Sequence, residues 1–208
     1  MKRIAQVVVV ACILGAVAGA VAKAQRKTLL IRLQWIVNID HTVALPAVDM
    51  TGGLRTLKVE SVVDKRDNGN REGVVRTQIG ENTEKKVAVP ILTDSNVAQF
   101  VTNGLLPQLK SAGLPFMPGD AELVLRFELT EFWATETTRY RASVRARCTL
   151  TDADGKEVWT AMVGGVGENW GRSLKDYNYN ETFTSAVFDL ATNLLKQDAF
   201  MRGLKKKS

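Results

Sequence analysis

An α+β two-layer sandwich, a mostly antiparallel sheet with two helices on one face, is the fold class the sequence predicts. Two features predict it. Two consecutive stretches in the second half alternate apolar and polar residues with period two and lead through a hairpin signal into a third strand, and two other stretches repeat apolar residues at steps of three and four. Helices gathered on one side of strands that follow one another directly give a helical layer over an antiparallel sheet.

The two alternating stretches and the strand after them form a meander. Leu123, Leu125, Phe127, Leu129 and Trp133 alternate with Glu122, Arg126, Glu128 and Thr130. Tyr140, Ala142, Val144, Ala146, Cys148 and Leu150 alternate with Arg141, Ser143, Arg145, Arg147 and Thr149. Each strand therefore has one wet face. Asp154-Gly155 is a hairpin signal leading into a third strand over Val158 to Val166. Before the meander, Leu29 to Ile39 alternates as a first strand, and Leu57, Val59 and Val63 continue a second that stops at Asp67-Asn68-Gly69-Asn70. The polar stretch from Asp67 to Lys86 reads as an exposed hairpin or loop. Thr93-Asp94-Ser95 offers capping oxygens to a helix carrying Val97, Phe100, Val101, Leu105, Leu106 and Leu109, with Gly104 and Pro107 inside it and Gly113 to end it. A last helix starts at about Asn180 and buries Phe183, Val187, Leu190 and Leu194.

The N-terminus carries a secretory pattern. Met1 to Arg3 is positive, Ile4 to Ala22 is apolar and rich in small residues, and Ala22-Lys23-Ala24 or Ala20-Val21-Ala22 is an A-x-A signal. Three fates fit it: cleavage near Ala24, retention as an anchor, or lipidation at Cys12, which stands in Val9-Val10-Ala11-Cys12. The expected organisation is a signal peptide over residues 1–24, a single α+β envelope domain over 25–200 and a basic C-terminal tail over 201–208. The expected location is the periplasm, either free or attached to a membrane through the leader or Cys12. If Cys12 leaves with the leader, Cys148 remains alone and no intrachain disulfide forms.

The net charge of +6 comes from Lys2, Arg3 and Lys23 in the leader and from Lys205, Lys206 and Lys207, leaving 22 cations and 22 anions in the body. A balanced body argues against nucleic acid as a partner. An envelope protein or an anionic lipid surface is the expected partner.

No catalytic residue, cofactor or metal site is predicted, and the chain reads as a non-enzyme. His41, the single histidine, has no paired ligand or base nearby in the sequence. Cys148 lies on the apolar face of its strand, where burial makes a thiol inert. Asp152-Ala153-Asp154-Gly155 lacks the glycine and glutamate spacing of a calcium loop, so a turn is expected. Gly164-Gly165-Val166-Gly167 fits no phosphate-loop pattern and reads as a strand end where the backbone bends or something packs closely.

Two candidate sites remain. Arg139, Arg141, Arg145 and Arg147 share one strand face, suited either to phosphates of lipid headgroups or lipopolysaccharide, or to cross-strand pairing with Glu122, Glu128, Glu131 or Glu157. Trp170, Tyr177 and Tyr179 fall in a Gly- and Asn-rich stretch read as a partner-binding loop. Trp133 is expected in the core, and Lys205 to Lys207 as a solvated terminus or a weak membrane contact.

Several segments together carry a family resemblance. They are Val62-Val63-Asp64-Lys65-Arg66-Asp67-Asn68, the helix from Asn96 that ends in Leu109-Lys110-Ser111-Ala112-Gly113, the turn Asp152 to Lys156, the stretch Gly164 to Gly171, and Ser185-Ala186. Over roughly residues 45 to 200 the chain resembles the YajG-like family of small bacterial envelope lipoproteins. The resemblance implies an α+β envelope domain, no known catalytic activity and an accessory or structural role. Members carry a lipidated cysteine, whereas here Ile13 to Ala22 stay apolar after Cys12.

Overall fold

The structure is a computed structural model that describes residues 28–37, 45–49, 51–67, 77–84 and 87–206; the leader with Cys12, and His41, lie outside the described residues. In chain order the elements are β1 (Leu29–Ile31), β2 (Leu57–Val59), β3 (Val63–Asp64), β4 (Thr77–Asn82), β5 (Val89–Thr93), α1 (Val97–Ser111), β6 (Leu123–Glu136), β7 (Tyr140–Asp152), β8 (Glu157–Asn169), α2 (Asp176–Leu195) and α3 (Asp198–Leu204). They build one open sheet ordered β1-β5-β4-β6-β7-β8, with β2 and β3 also paired to β6. The predicted α+β class holds.

The meander is the spine. β6 and β7 pair antiparallel from Leu123↔Asp152 to Glu136↔Tyr140, and β7 and β8 from Tyr140↔Asn169 to Thr151↔Glu157. The ladder slips by one residue between Leu129 and Glu131. A single extra residue inverts the facing of everything after it. Phe132 therefore turns into the core, while Trp133, expected there, stands half-buried on the outer face opposite Ser143. Phe132 stacks on Phe183 at 4.0 Å and meets Phe100 edge-on at 5.8 Å, and Phe100 in turn packs on Trp35.

The other edge of β6 is shared by three short parallel segments, β2, β3 and β4. The expected second strand divides because Val62 leaves the ladder, sinks into the core and donates its N–H to Thr102 Oγ1 of α1 at 3.0 Å. The stretch expected as an exposed loop contains β4, with Ile79 fully buried, and β4 pairs antiparallel with β5, a strand the periodicity did not announce.

The expected first strand also divides. Only Leu29–Ile31 joins the sheet, and residues 32–36 then cross the helices as a strap. Side chains replace a strand partner there: Leu33 N–H donates to Ser95 Oγ (3.0 Å), Gln34 N–H to Asn180 Oδ1 (3.0 Å) and Ile36 N–H to Thr184 Oγ1 (3.2 Å), while Asn180 Nδ2 donates to Arg32 O (3.0 Å). Trp35 lies on α1 at Gly104, where a Cβ would fall 2.0 Å from its ring.

The cap of α1 is Asn96, which accepts from Gln99 N–H at 2.9 Å, while the expected Thr93 and Ser95 hold Ser95 N–H and the strap. Gly113 ends the helix with φ +94°. α2 starts four residues earlier than expected and buries Phe183, Val187, Leu190 and Leu194 completely. It presses directly on β8: a Cβ on Gly165 would fall 2.1 Å from Ala186 O, and one on Gly167 would fall 2.0 Å from Thr182 O. Close packing is thus the reason for this glycine stretch, and the strand runs through it instead of ending there. Asp189 and Asn193 of α2 reach the outer side of β8, accepting from Val166 N–H (2.9 Å) and donating to Gly164 O (2.9 Å).

Residues 201–206 do not form the expected tail. α3 buries Phe200 and Leu204, Lys205 bridges to Leu54, and Lys206 N–H donates to Gly53 O. The β7–β8 connection is the expected turn, with Gly155 at φ +80° and the Asp152 carboxylate accepting from Asp154 and Lys156 N–H.

Candidate functional site

The four arginines do share the outer face, and each meets a carboxylate. Arg139 Nη1 lies 2.8 Å from Glu168 Oε2, Arg141 Nε 3.6 Å from Glu168 Oε1, Arg145 Nε 3.7 Å from Glu131 Oε2 and Arg147 Nη1 4.0 Å from Glu128 Oε2. β7 sits between β6 and β8, so acids on both neighbours face its cations. Of the expected partners, Glu128 and Glu131 serve; Glu168 was not anticipated, and Glu122 instead accepts from Thr56 N–H at 2.9 Å. Exposed pairs of this kind contribute about 0–1 kcal/mol each. Their stronger effect is to cancel the positive field of the face.

The aromatic candidates separate. Trp170 stands 66% exposed in the connection after β8, with the Arg139 guanidinium 5.0 Å over its ring. Tyr177 is 57% exposed on the first turn of α2. Tyr179 is fully buried and leaves the candidate surface. The reason is that α2 has already begun, and two residues on a helix point about 200° apart.

Tyr179 belongs to a buried polar network that sequence reasoning missed. Its hydroxyl donates to Glu136 Oε2 at 2.5 Å, and its ring meets Tyr140 edge-on at 4.9 Å. Glu136, 2% exposed, also accepts from Leu174 N–H at 3.1 and 3.3 Å. Tyr140 donates to Arg172 O at 2.5 Å and accepts from Lys175 N–H at 3.3 Å; Asn178 Nδ2 donates to Arg172 O, and Asn82 Nδ2 to Ser173 Oγ. These bonds hold Leu174 at φ +56°, a left-handed conformation that a branched side chain adopts only under constraint. The loop presenting Trp170 is thus fixed in advance. Burial, aided by the bond to Glu136, pushes the Tyr179 phenol well above its ordinary range.

Cys148 is fully buried, and desolvation pushes its thiol up to about 12. An unfolded thiol ionises near 8.5, so the folded state keeps its proton longer and stability is lost as pH rises. The unfolding free energy from urea titration should hold steady to about pH 8.5 and then fall by about 1.4 kcal/mol per pH unit, more steeply above about pH 10 as Tyr179 joins. Cys148→Ala should remove the first part of that decline; an unchanged profile in the variant would contradict the burial of the thiol.

Among the described residues no group of three or more His, Cys, Asp or Glu could hold a metal ion, and no helix is long and apolar enough to cross a membrane. No protein-family model matches the chain, and no curated protein matches it. Among solved structures it is similar to protein XCC0632 from Xanthomonas campestris, of the DUF330 family model, with 9% identity, 85% of this chain and 96% of that chain covered and a TM-score of 0.55. An uncharacterized protein follows at 14% identity, coverage of 82% and 99% and a TM-score of 0.48. The PelC dodecamer from Paraburkholderia phytofirmans gives 15% identity, coverage of 79% and 96% and a TM-score of 0.40. What the chain shares with XCC0632 is the fold.

Proposed function

We propose that this chain is an exported, non-enzymatic accessory protein of the bacterial cell envelope, akin to the YajG-like lipoproteins, that engages a partner through Trp170 and Tyr177. The observation that carries the interaction role is the exposed Trp170, presented by a loop whose backbone is locked by Glu136, Tyr140 and Asn178. A rigid, exposed aromatic loses little entropy when covered, which is the chemistry of an interface anchor. The leader pattern supports export, and attachment through Cys12 or the leader is compatible with it. Binding of anionic headgroups by the Arg139 to Arg147 face has less support, since a carboxylate stands within 4.0 Å of every guanidinium.

A photoreactive side chain at position 170, placed in the full-length protein in intact cells, should yield a discrete adduct in the envelope fraction. The adduct should disappear with Tyr177→Ser, while the unfolding free energy of that variant stays within about 0.5 kcal/mol of the parent. A protein found only in the cytoplasm with Met1 retained, or an adduct indifferent to Tyr177, would overturn the reading.

A further inference from the structure

At the end of the meander opposite Trp170, roughly 40 Å away along β7, the sheet and the last residues enclose a cleft of about 700 Å³. Arg55 lines it from the approach to β2, Lys156 from the β7–β8 turn, Arg202 from α3, and Lys205 and Lys206 from the segment that follows. Glu122, Asp152 and Glu157 are the acids facing these five cations.

Two of those acids are already engaged by main-chain donors. Glu122 accepts from Thr56 N–H, and Asp152 accepts from Asp154 and Lys156 N–H. The Thr56 amide, ahead of its hydroxyl and the nearby Lys206 and Arg55, holds the Glu122 carboxyl below its usual range. Lys205 Nζ pairs with Asp49 at 3.3 Å. Among the described residues, Arg55, Lys156, Arg202 and Lys206 have no carboxylate within ion-pair distance. On the outer face, by contrast, every arginine has a carboxylate within 4.0 Å, Glu168 serving both Arg139 and Arg141, whereas the cleft brings four unpaired cations of the described fold to one place.

The backbone that carries Arg55, Lys205 and Lys206 is held in place. Arg55 N–H donates to Leu204 O at 2.8 Å, Lys205 bridges to Leu54, and Lys206 N–H donates to Gly53 O. The Arg55 guanidinium donates to Glu122 O at 3.1 Å. Gly203 forms part of the floor, where a Cβ would press within 3.2 Å of Leu150 and Val158. A space of this size takes a ligand much larger than one orthophosphate.

We infer that this cleft is a binding site for a multiply charged phosphate anion, gripped by the Arg55 and Arg202 guanidinium forks and the Lys156 and Lys206 ammonium groups. Forked donors suit phosphate oxygens, and ammonium groups add point charge without fixing direction. The same chemistry describes a soluble polyphosphate and a phosphorylated lipid headgroup.

Calorimetry with the full chain at low ionic strength tests it with two probes, tripolyphosphate and vesicles containing phosphatidic acid, whose headgroup is a phosphomonoester. Binding of tripolyphosphate alone would assign a soluble anion, and binding of vesicles a headgroup. In either arm the exposed double variant Arg202→Ser/Lys206→Ser should lose at least about tenfold in affinity, with Lys156→Ser, on a separate element, losing less. Arg141→Ser/Arg145→Ser on the outer face should bind as the parent does. No binding of either probe, or an equal loss in the outer-face variant, would overturn the inference. Because Trp170 lies at the other end of the sheet, the result is independent of the partner proposed there.

Discussion

Gly165→Ala should destabilise the protein by about 3 kcal/mol or more, enough to abolish folding of a marginally stable domain. The new Cβ would fall 2.1 Å from Ala186 O and 2.2 Å from Leu190 N. Both are main-chain atoms of α2, so no rotamer change relieves the clash, and the helix itself must lift from β8. Lifting it uncovers Phe183, Val187 and Leu190, which are fully buried. Gly167→Ala, 2.0 Å from Thr182 O, should behave alike. The neighbouring Gly164→Ala provides the control: its Cβ would press only on the flexible Arg145 side chain, 3.1 Å away on the outer face, with Val144 O at an ordinary contact distance of 3.5 Å, and should cost less than about 1 kcal/mol. Urea unfolding of the three variants checks the contrast. Equal costs at positions 164 and 165 would mean that α2 does not rest on β8 as described.

Glu136→Ala should cost about 3 kcal/mol, because it strips a buried phenol and a half-buried amide of their acceptor at once. Glu136→Gln retains one acceptor oxygen and should cost less. The alanine variant should also release Leu174 from its left-handed conformation. Free rotation of Trp170 would follow, read as a fall in fluorescence anisotropy at a position more than thirty residues from the substitution. A stability within about 0.5 kcal/mol of the parent would show that water satisfies the Tyr179 hydroxyl and the Leu174 amide instead.

The long strands and both long helices were legible because burial on one face writes a period into the sequence. What that period does not record is the partner. Residues 32–36 alternate as a strand would, but Asn180, Thr184 and Ser95 receive their main-chain groups where a neighbouring strand was expected. Pro90 disguised β5, since a proline suggests no ladder position at all. The bulge near Thr130 is equally silent, yet it decides that Phe132 packs inward, that Trp133 turns outward and that Glu136 is buried. Of the candidate sites, the charge pattern on β7 and the exposed Trp170 were readable. The Glu136 network was not, because its parity depends on that bulge, and Tyr179 was misplaced because α2 begins before it. The basic cleft escaped notice because its cations are scattered from Arg55 to Lys206 and only folding gathers them.

The two side chains that α2 extends past β8 set a limit on growth. An edge strand is a template on which a further strand, from the same or another molecule, can assemble. From Gly164 to Val166 that template is occupied: a newcomer would have to displace Asp189 from the Val166 amide and Asn193 from the Gly164 carbonyl. Gly165 and Gly167 make this blockade feasible by letting the helix sit low enough for those side chains to reach. The sheet is thereby finite along this stretch, and a protein crowded against its own copies is guarded there against templated fibre formation without placing a single lysine or proline in the strand.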